Sequence, residues 1–104
     1  MLTDEQISDL GELLWQECQR ESLAGRRLIP LGQSERGEMC PLGALVGSFY
    51  PMPILASQRA PGLSCGDAAD FMSGFDGMSP DSRDPRLYQL GLLFREHALS
   101  GEAW

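Results

Sequence analysis

Apolar side chains recur at helical spacing in the first segment of the chain, which predicts a helix there. The recurring positions are Ile7, Leu10, Leu14 and Cys18. Thr3 and Gln6 match the N-cap and N3 positions of a capping box, so the helix is expected to begin at this point. Gly25 is a suitable residue to end it.

The same spacing predicts three further helices. The first of them is expected to begin at Cys40-Pro41, with the Pro at position N1. The second begins with Ser64 as its N-cap, and the third with Asp84 as its N-cap followed by Pro85. Their apolar stripes are Leu42, Leu45, Val46 and Phe49; Ala68, Phe71, Met72 and Phe75; and Leu87, Leu90, Phe94 and Ala98. Gly77 and Gly101 are expected to end the last two helices.

These patterns predict one all-α domain over 1–104, with about four helices. A long irregular loop follows the first helix, and a short strand or hairpin is a further expectation around Arg27–Leu31 and Glu38–Met39. In the last helix, Tyr88, Leu92 and Leu99 widen the apolar arc, which favours a homodimer if one small core cannot bury it.

Composition narrows the class of protein. The chain has 104 residues, of which 42% are hydrophobic and 22% charged, as in an ordinary globular domain. The apolar stretches are too short or too interrupted for a membrane span, and the acidic N-terminus has no signal-peptide pattern. A cytoplasmic location is therefore expected.

The net charge of −7 argues against direct binding of nucleic acid, whose backbone repels acidic surfaces. Six carboxylates are predicted to bind a partner: Glu5, Asp9, Glu12, Asp67, Asp70 and Asp76. The first three fall together opposite the apolar stripe of the first helix, where they form a carboxylate row. The expected partner is a larger, basic protein.

A second hypothesis comes from the basic residues, all eight of which are Arg. Residues 26–64 carry a small positive excess, and a small anionic ligand or nucleotide would be bound if its arginines converged on a pocket. The candidates for this ligand site are Arg26, Arg27 and Arg36, with Arg59 as a further contributor.

Catalysis or zinc binding through thiols is a third hypothesis. The three Cys and one His, at Cys18, Cys40, Cys65 and His97, match the composition of a Cys₃His zinc site. However, no two of them are close in sequence, and no motif for a nucleotide phosphate or a cofactor is present. The preferred interpretation is structural thiols, with no metal, no cofactor and no enzymatic activity.

Three strings resemble segments of small phage- and prophage-encoded proteins of unassigned function. They are Cys40 to Leu45; Ala68 to Phe71 with Gly74 to Gly77; and Leu87 to Gly91 with Phe94-Arg95. The resemblance implies a phage-type inhibitor of host machinery, the class that includes anti-CRISPR proteins. Together with the charge, it leads to the hypothesis of an inhibitor that occupies a basic, nucleic-acid-binding surface. Trp104, at the end of the chain, either docks on the fold or binds a partner.

Overall fold

The structure is a computed structural model that describes residues 2–25, 27–28, 38–39, 41, 62–78 and 84–104. Most of these residues are helical. The helices are α1 (Asp4–Leu23), α2 (Cys65–Asp76) and α3 (Pro85–Ser100), and two strands of two residues are β1 (Arg27–Leu28) and β2 (Glu38–Met39). A mostly helical fold is therefore confirmed.

The predicted helix starts are confirmed by their hydrogen bonds. At α1, the Thr3 side chain accepts from the backbone N–H of Gln6, and the Gln6 side chain accepts from Thr3 N–H. Ser64 and Asp67 form the same reciprocal pair at α2. At α3, the Asp84 side chain accepts from a backbone N–H in the first turn. These caps stabilise N–H groups that have no partner within the helix.

The two short strands lie within the segments predicted to be extended, but they do not form a hairpin. They pair in parallel, with Arg27 opposite Glu38 and Leu28 opposite Met39. A hairpin requires antiparallel strands, so that part of the prediction is wrong for this pair. The sequence pattern identifies extended residues, but it carries no information on the direction in which they pair.

Helices α2 and α3 pack with their backbones in close contact at two glycines. A Cβ added to Gly91 would overlap the carbonyl oxygen of Phe71 and lie 2.8 Å from the backbone nitrogen of Phe75. One added to Gly74 would overlap the carbonyl oxygen of Tyr88. Only glycine permits so close an approach from both helices, and this crossing positions α3 on α2.

The C-terminal end of α2 is bound by side chains from α3. Gly77 ends the helix in the left-handed conformation, with φ of 70°. The Arg95 guanidinium lies over this glycine and donates a hydrogen bond of 3.0 Å to the Phe75 carbonyl. The Tyr88 hydroxyl donates to the Met78 carbonyl at 2.7 Å. Carbonyl groups at this helix end therefore have partners from a second helix.

The buried apolar residues of the described part of the chain form one cluster. They are Leu2, Ile7, Leu10, Leu14, Cys18, Leu28, Leu63, Ala68, Phe71, Phe75, Leu87 and Phe94. The whole predicted stripe of α1 is included, as are the main positions of α2 and α3. By contrast, Leu93 and Leu99 on α3 are exposed, with relative accessibilities of 62% and 47%.

The predicted helix over 40–49 lies outside the described residues, except for Pro41, which is helical and buried. The homodimer stays a prediction. In the part of the chain that the structure describes, no helix combines the length and the apolar character needed to cross a membrane.

Replacing Gly91 with Ala is expected to lower the free energy of unfolding by about 1–3 kcal/mol, because the methyl group would force the two backbones apart. Thermal and urea unfolding, followed by circular dichroism, would measure the loss. Gly66→Ala is the matched control in α2, because its added Cβ meets no atom closer than 3.8 Å. Equal stability of the Gly91→Ala variant and the wild type would contradict the described crossing.

Candidate functional site

The outer face of α1 carries three of the predicted partner-binding carboxylates. Glu5, Asp9 and Glu12 are all exposed, on the side of the helix away from its buried stripe. None of the three forms an ion pair or a hydrogen bond with any residue that the structure describes. We call these three residues the acidic row, and it has the exposure that contact with a partner requires.

The three aspartates predicted on α2 have different environments. Asp67 is half-buried and caps the helix by accepting from Ser64 N–H at 3.3 Å. Asp76 is half-buried in the last turn. Asp70 is buried, with a relative accessibility of 7%, and accepts a hydrogen bond of 2.9 Å from the backbone N–H of Asp84. The Asp70 carboxylate therefore joins α2 to the start of α3, and the partner-binding role of Asp70 stays a prediction.

Asp84 and Arg86 continue this connection toward the N-terminal segment. Arg86 Nε and Nη2 donate to the two oxygens of the Asp84 carboxylate, at 3.1 and 2.9 Å. Its Nη1 donates to Asp4 at 2.7 Å, and its Nη2 also donates to the Leu2 carbonyl at 2.7 Å. One guanidinium therefore holds the beginning of α1 against the beginning of α3, in a bidentate geometry that lysine cannot reproduce.

Both members of the central ion pair have shifted pKa values. The hydrogen bonds from the Arg86 side chain lower the pKa of Asp84 below its usual value of 3.8. The hydrogen bonds to Asp84 and then to Asp4 raise the pKa of Arg86. Asp84 therefore stays ionised and Arg86 protonated, so the pair persists throughout the neutral range.

Sequence reasoning missed this arrangement beyond the N-cap role of Asp84. Arg86 and Asp4 are 82 positions apart, and no local pattern relates them. Asp84 has a relative accessibility of 5%. The available signal was an Asp with a Pro after it and an Arg two positions on, a spacing that permits a local ion pair at a helix start.

Most of the arginines that were predicted to bind a small anion lie outside the described part of the chain. Arg26, Arg36 and Arg59 lie outside the described residues, and only the backbone of Arg27 is described, in β1. The small-anion hypothesis is therefore left as a prediction from the sequence.

Trp104 packs against the rest of the fold, which is the first of the two alternatives that the sequence left open for this residue. Its ring centroid lies 4.9 Å from that of Trp15, 4.5 Å from that of His97 and 5.7 Å from that of Phe94. Its backbone carbonyl accepts from Gln19 Nε2 at 3.0 Å. The contacts join the last residue to α1 and α3 through a cluster of edge-on and tilted rings.

The thiols and the imidazole do not form a metal centre among the described residues. No group of three or more potential ligands was found in that part of the chain. Cys18 is buried and Cys65 exposed, while Cys40 lies outside it. His97 packs against Trp15 and lies with Nε2 3.0 Å from the Ala103 carbonyl, so Nε2–H is the donor. That nitrogen is therefore committed to the C-terminal tail.

An open groove runs between α1 and α3. Its volume is about 420 Å³, and its lining is almost entirely apolar. The lining residues are Ile7, Pro85, Arg86, Gln89, Leu90 and Leu93. The apolar stripe predicted for α3 does not include Leu93, whose exposed side chain lines this groove.

Comparisons with known protein families, curated proteins and solved structures found no match to this chain. The function of the chain is therefore inferred from its own charges, contacts and surfaces.

Acid is expected to destabilise the protein in part through Asp84. The pKa of Asp84 is lower in the folded state than its usual value of 3.8. The contribution of Asp84 to the free energy of unfolding is therefore complete above that usual value and is lost as the pH falls through the folded-state pKa. Asp84→Asn keeps a capping side chain but removes the charge. Its unfolding free energy should therefore fall less steeply below about pH 4 than that of the wild type.

Urea unfolding at a series of pH values would measure this difference, with Asp9→Asn as the control because Asp9 is exposed and has no ion pair with the described residues. Parallel acid limbs for the wild type and Asp84→Asn would contradict the expected role of the Asp84–Arg86 pair.

Trp104→Ala is expected to lower the free energy of unfolding by about 1–2 kcal/mol, because ring contacts from one residue to three others are lost. Chemical unfolding would measure the change, and the fluorescence of Trp15 should shift as its ring becomes more exposed. Glu102→Ala, an exposed position in the same tail, is the control. An unchanged Trp15 spectrum would show that the tail does not cover this ring in solution.

Proposed function

We propose that the chain is a small, acidic, non-enzymatic interaction protein that binds a basic surface of a larger protein. The observation that carries this proposal is the acidic row of α1. Its three carboxylates are exposed and without ion pairs among the described residues, whereas Asp70, Asp84 and Asp4 are used within the fold. Charge complementarity of this kind accelerates association and selects partners of opposite sign.

The more specific form of the proposal is a phage-type, anti-CRISPR-like inhibitor that acts in the cytoplasm. A basic surface on a bacterial protein is often a nucleic-acid-binding surface, because phosphate contacts dominate that recognition. A row of carboxylates along one helix face offers the same sign of charge as the phosphates that it would displace. The net charge of −7 supports competition with nucleic acid rather than binding to it.

The proposal is tested with the intact chain as bait in a bacterial lysate. A captured protein should be displaced as NaCl rises from about 50 to 500 mM, because screening shortens the range of exposed charges. Adding the chain to a complex of the captured protein with its DNA or RNA should release the nucleic acid. Affinity that stays flat across the salt series, or nucleic acid that remains bound at saturation, would contradict the proposal.

Charge-removing variants locate the contact on the acidic row. Each of Glu5→Gln, Asp9→Asn and Glu12→Gln should weaken binding of the captured protein about two- to fivefold, the range expected for one exposed charge pair. Glu102→Gln is the matched control, because it removes one exposed carboxylate from another part of the surface. Equal affinities for all four variants would place the contact elsewhere.

A further inference from the structure

Two tryptophans form an aromatic pair at the surface where the C-terminal tail meets α1. The ring centroids of Trp15 and Trp104 lie 4.9 Å apart, and the ring planes are tilted by 58°. We call these two residues the indole pair. Both pack against the apolar core but are only half-buried. Part of the indole pair therefore remains in contact with solvent, while the rest is fixed by the fold.

The indole pair lies at the end of the acidic row on α1. The backbone carbonyl of Trp104 accepts from Gln19 Nε2 at 3.0 Å, which fixes the tail beside Gln19. Glu5, Glu12 and Gln19 follow one another at intervals of seven positions, close to two helical turns, so they lie on one side of α1. Trp15 is three positions after Glu12 and four before Gln19, and residues at these spacings are neighbours on a helix surface. The acidic row therefore continues into the indole pair along this helix.

The arginines whose side chains are described bind elsewhere in the fold. Arg20 forms ion pairs with Glu17 and Glu21 on α1. Arg95 donates to a carbonyl at the end of α2, and Arg86 pairs with carboxylates at the beginning of α1 and of α3. None of these three guanidinium groups contacts the indole pair or the acidic row, so a cation that binds there has to come from another molecule.

A guanidinium group suits a surface that combines indole rings with carboxylates. It is planar and weakly hydrated, so it can stack on an aromatic ring and also form a bidentate pair with a carboxylate. The negative face of an indole ring attracts such a cation directly. Lysine carries the same charge, but its compact and strongly hydrated ammonium group cannot stack in this way. We therefore expect this part of the surface to prefer arginine to lysine.

We infer that the indole pair binds an arginine side chain of the partner, beside the carboxylate of Glu12. The inference rests on the proposed function and adds the residue type that the partner contributes. The acidic row attracts arginine and lysine alike, whereas the indole pair distinguishes them because only a guanidinium stacks on its rings. Trp and Arg are also enriched among the residues that carry most of the binding energy at protein interfaces, which supports this pairing.

The probes are two synthetic peptides of equal length and charge, hexa-arginine and hexalysine, both with blocked ends. Fluorescence anisotropy of labelled peptides measures their affinity for the full chain at about 50 mM NaCl and about pH 8, where exposed charges are weakly screened and histidine side chains carry little charge. Hexa-arginine should bind about two- to fivefold more tightly than hexalysine, the range expected for one exposed cation–π contact. Unlabelled hexa-arginine should also change the emission of the two tryptophans.

Trp104→Leu tests the indole pair, and Trp104→Phe is its matched control. Leucine keeps an apolar side chain at the end of the tail but has no aromatic face, whereas phenylalanine keeps one. Trp104→Leu should abolish the preference for hexa-arginine, and Trp104→Phe should retain most of it. Glu5→Gln, two turns before Glu12 on α1, should weaken both peptides by the same factor and leave the preference unchanged. Circular dichroism should show all three variants folded.

Two results would overturn the inference. One is a ratio of arginine to lysine affinity that is the same in Trp104→Leu as in the wild type, and the other is tryptophan emission that hexa-arginine leaves unchanged. Either result leaves the proposed function standing if the captured protein still binds in a salt-dependent way and responds to the acidic-row variants. Failure of those variants to change binding of the captured protein would instead remove the proposed function itself.

Discussion

The close contact between Gly74 and Gly91 is the constraint on which the arrangement of α2 and α3 depends. The absence of a Cβ at both positions lets carbonyl oxygens of one helix lie against the glycine of the other. At this separation the large residues beside the crossing, Phe71, Phe75 and Leu87, pack into one buried layer. A methyl group at either glycine would increase the distance and leave gaps around all three.

The close approach of α2 and α3 also brings polar groups into contact at the two ends of this helix pair. At one end, the Arg95 guanidinium reaches the last carbonyls of α2 and lies over Gly77. At the other end, the buried Asp70 carboxylate binds the backbone N–H of Asp84, which caps α3 and pairs with Arg86. Arg86 then attaches α1 through Asp4 and the Leu2 carbonyl. Most of these charged groups therefore form contacts that connect one element of the fold to another.

Some carboxylates of this protein form contacts between elements, whereas others remain on the surface. The proposed function depends on those that remain on the surface. An acidic protein whose carboxylates were all paired internally would offer no field to a partner. Here Glu5, Asp9 and Glu12 remain exposed on the face of α1 opposite its buried stripe. Exposed charges of one sign along a helix face steer association with a partner surface of the opposite sign.

Local signals in the sequence determined where the described helices begin and which face of each is buried. Helix caps and apolar stripes depend on residues within a few positions of one another, so the sequence alone predicts them. Examples are the caps at Thr3, Ser64 and Asp84 and the stripe from Ile7 to Cys18. The exposure of the acidic row followed from the same helical geometry. Tertiary structure alone decided the parallel pairing of the short strands, the burial of Asp70, the docking of Trp104 and the exposure of Leu93. Each of these depends on which distant element lies opposite, and helical spacing defines the faces of an element without specifying its neighbour.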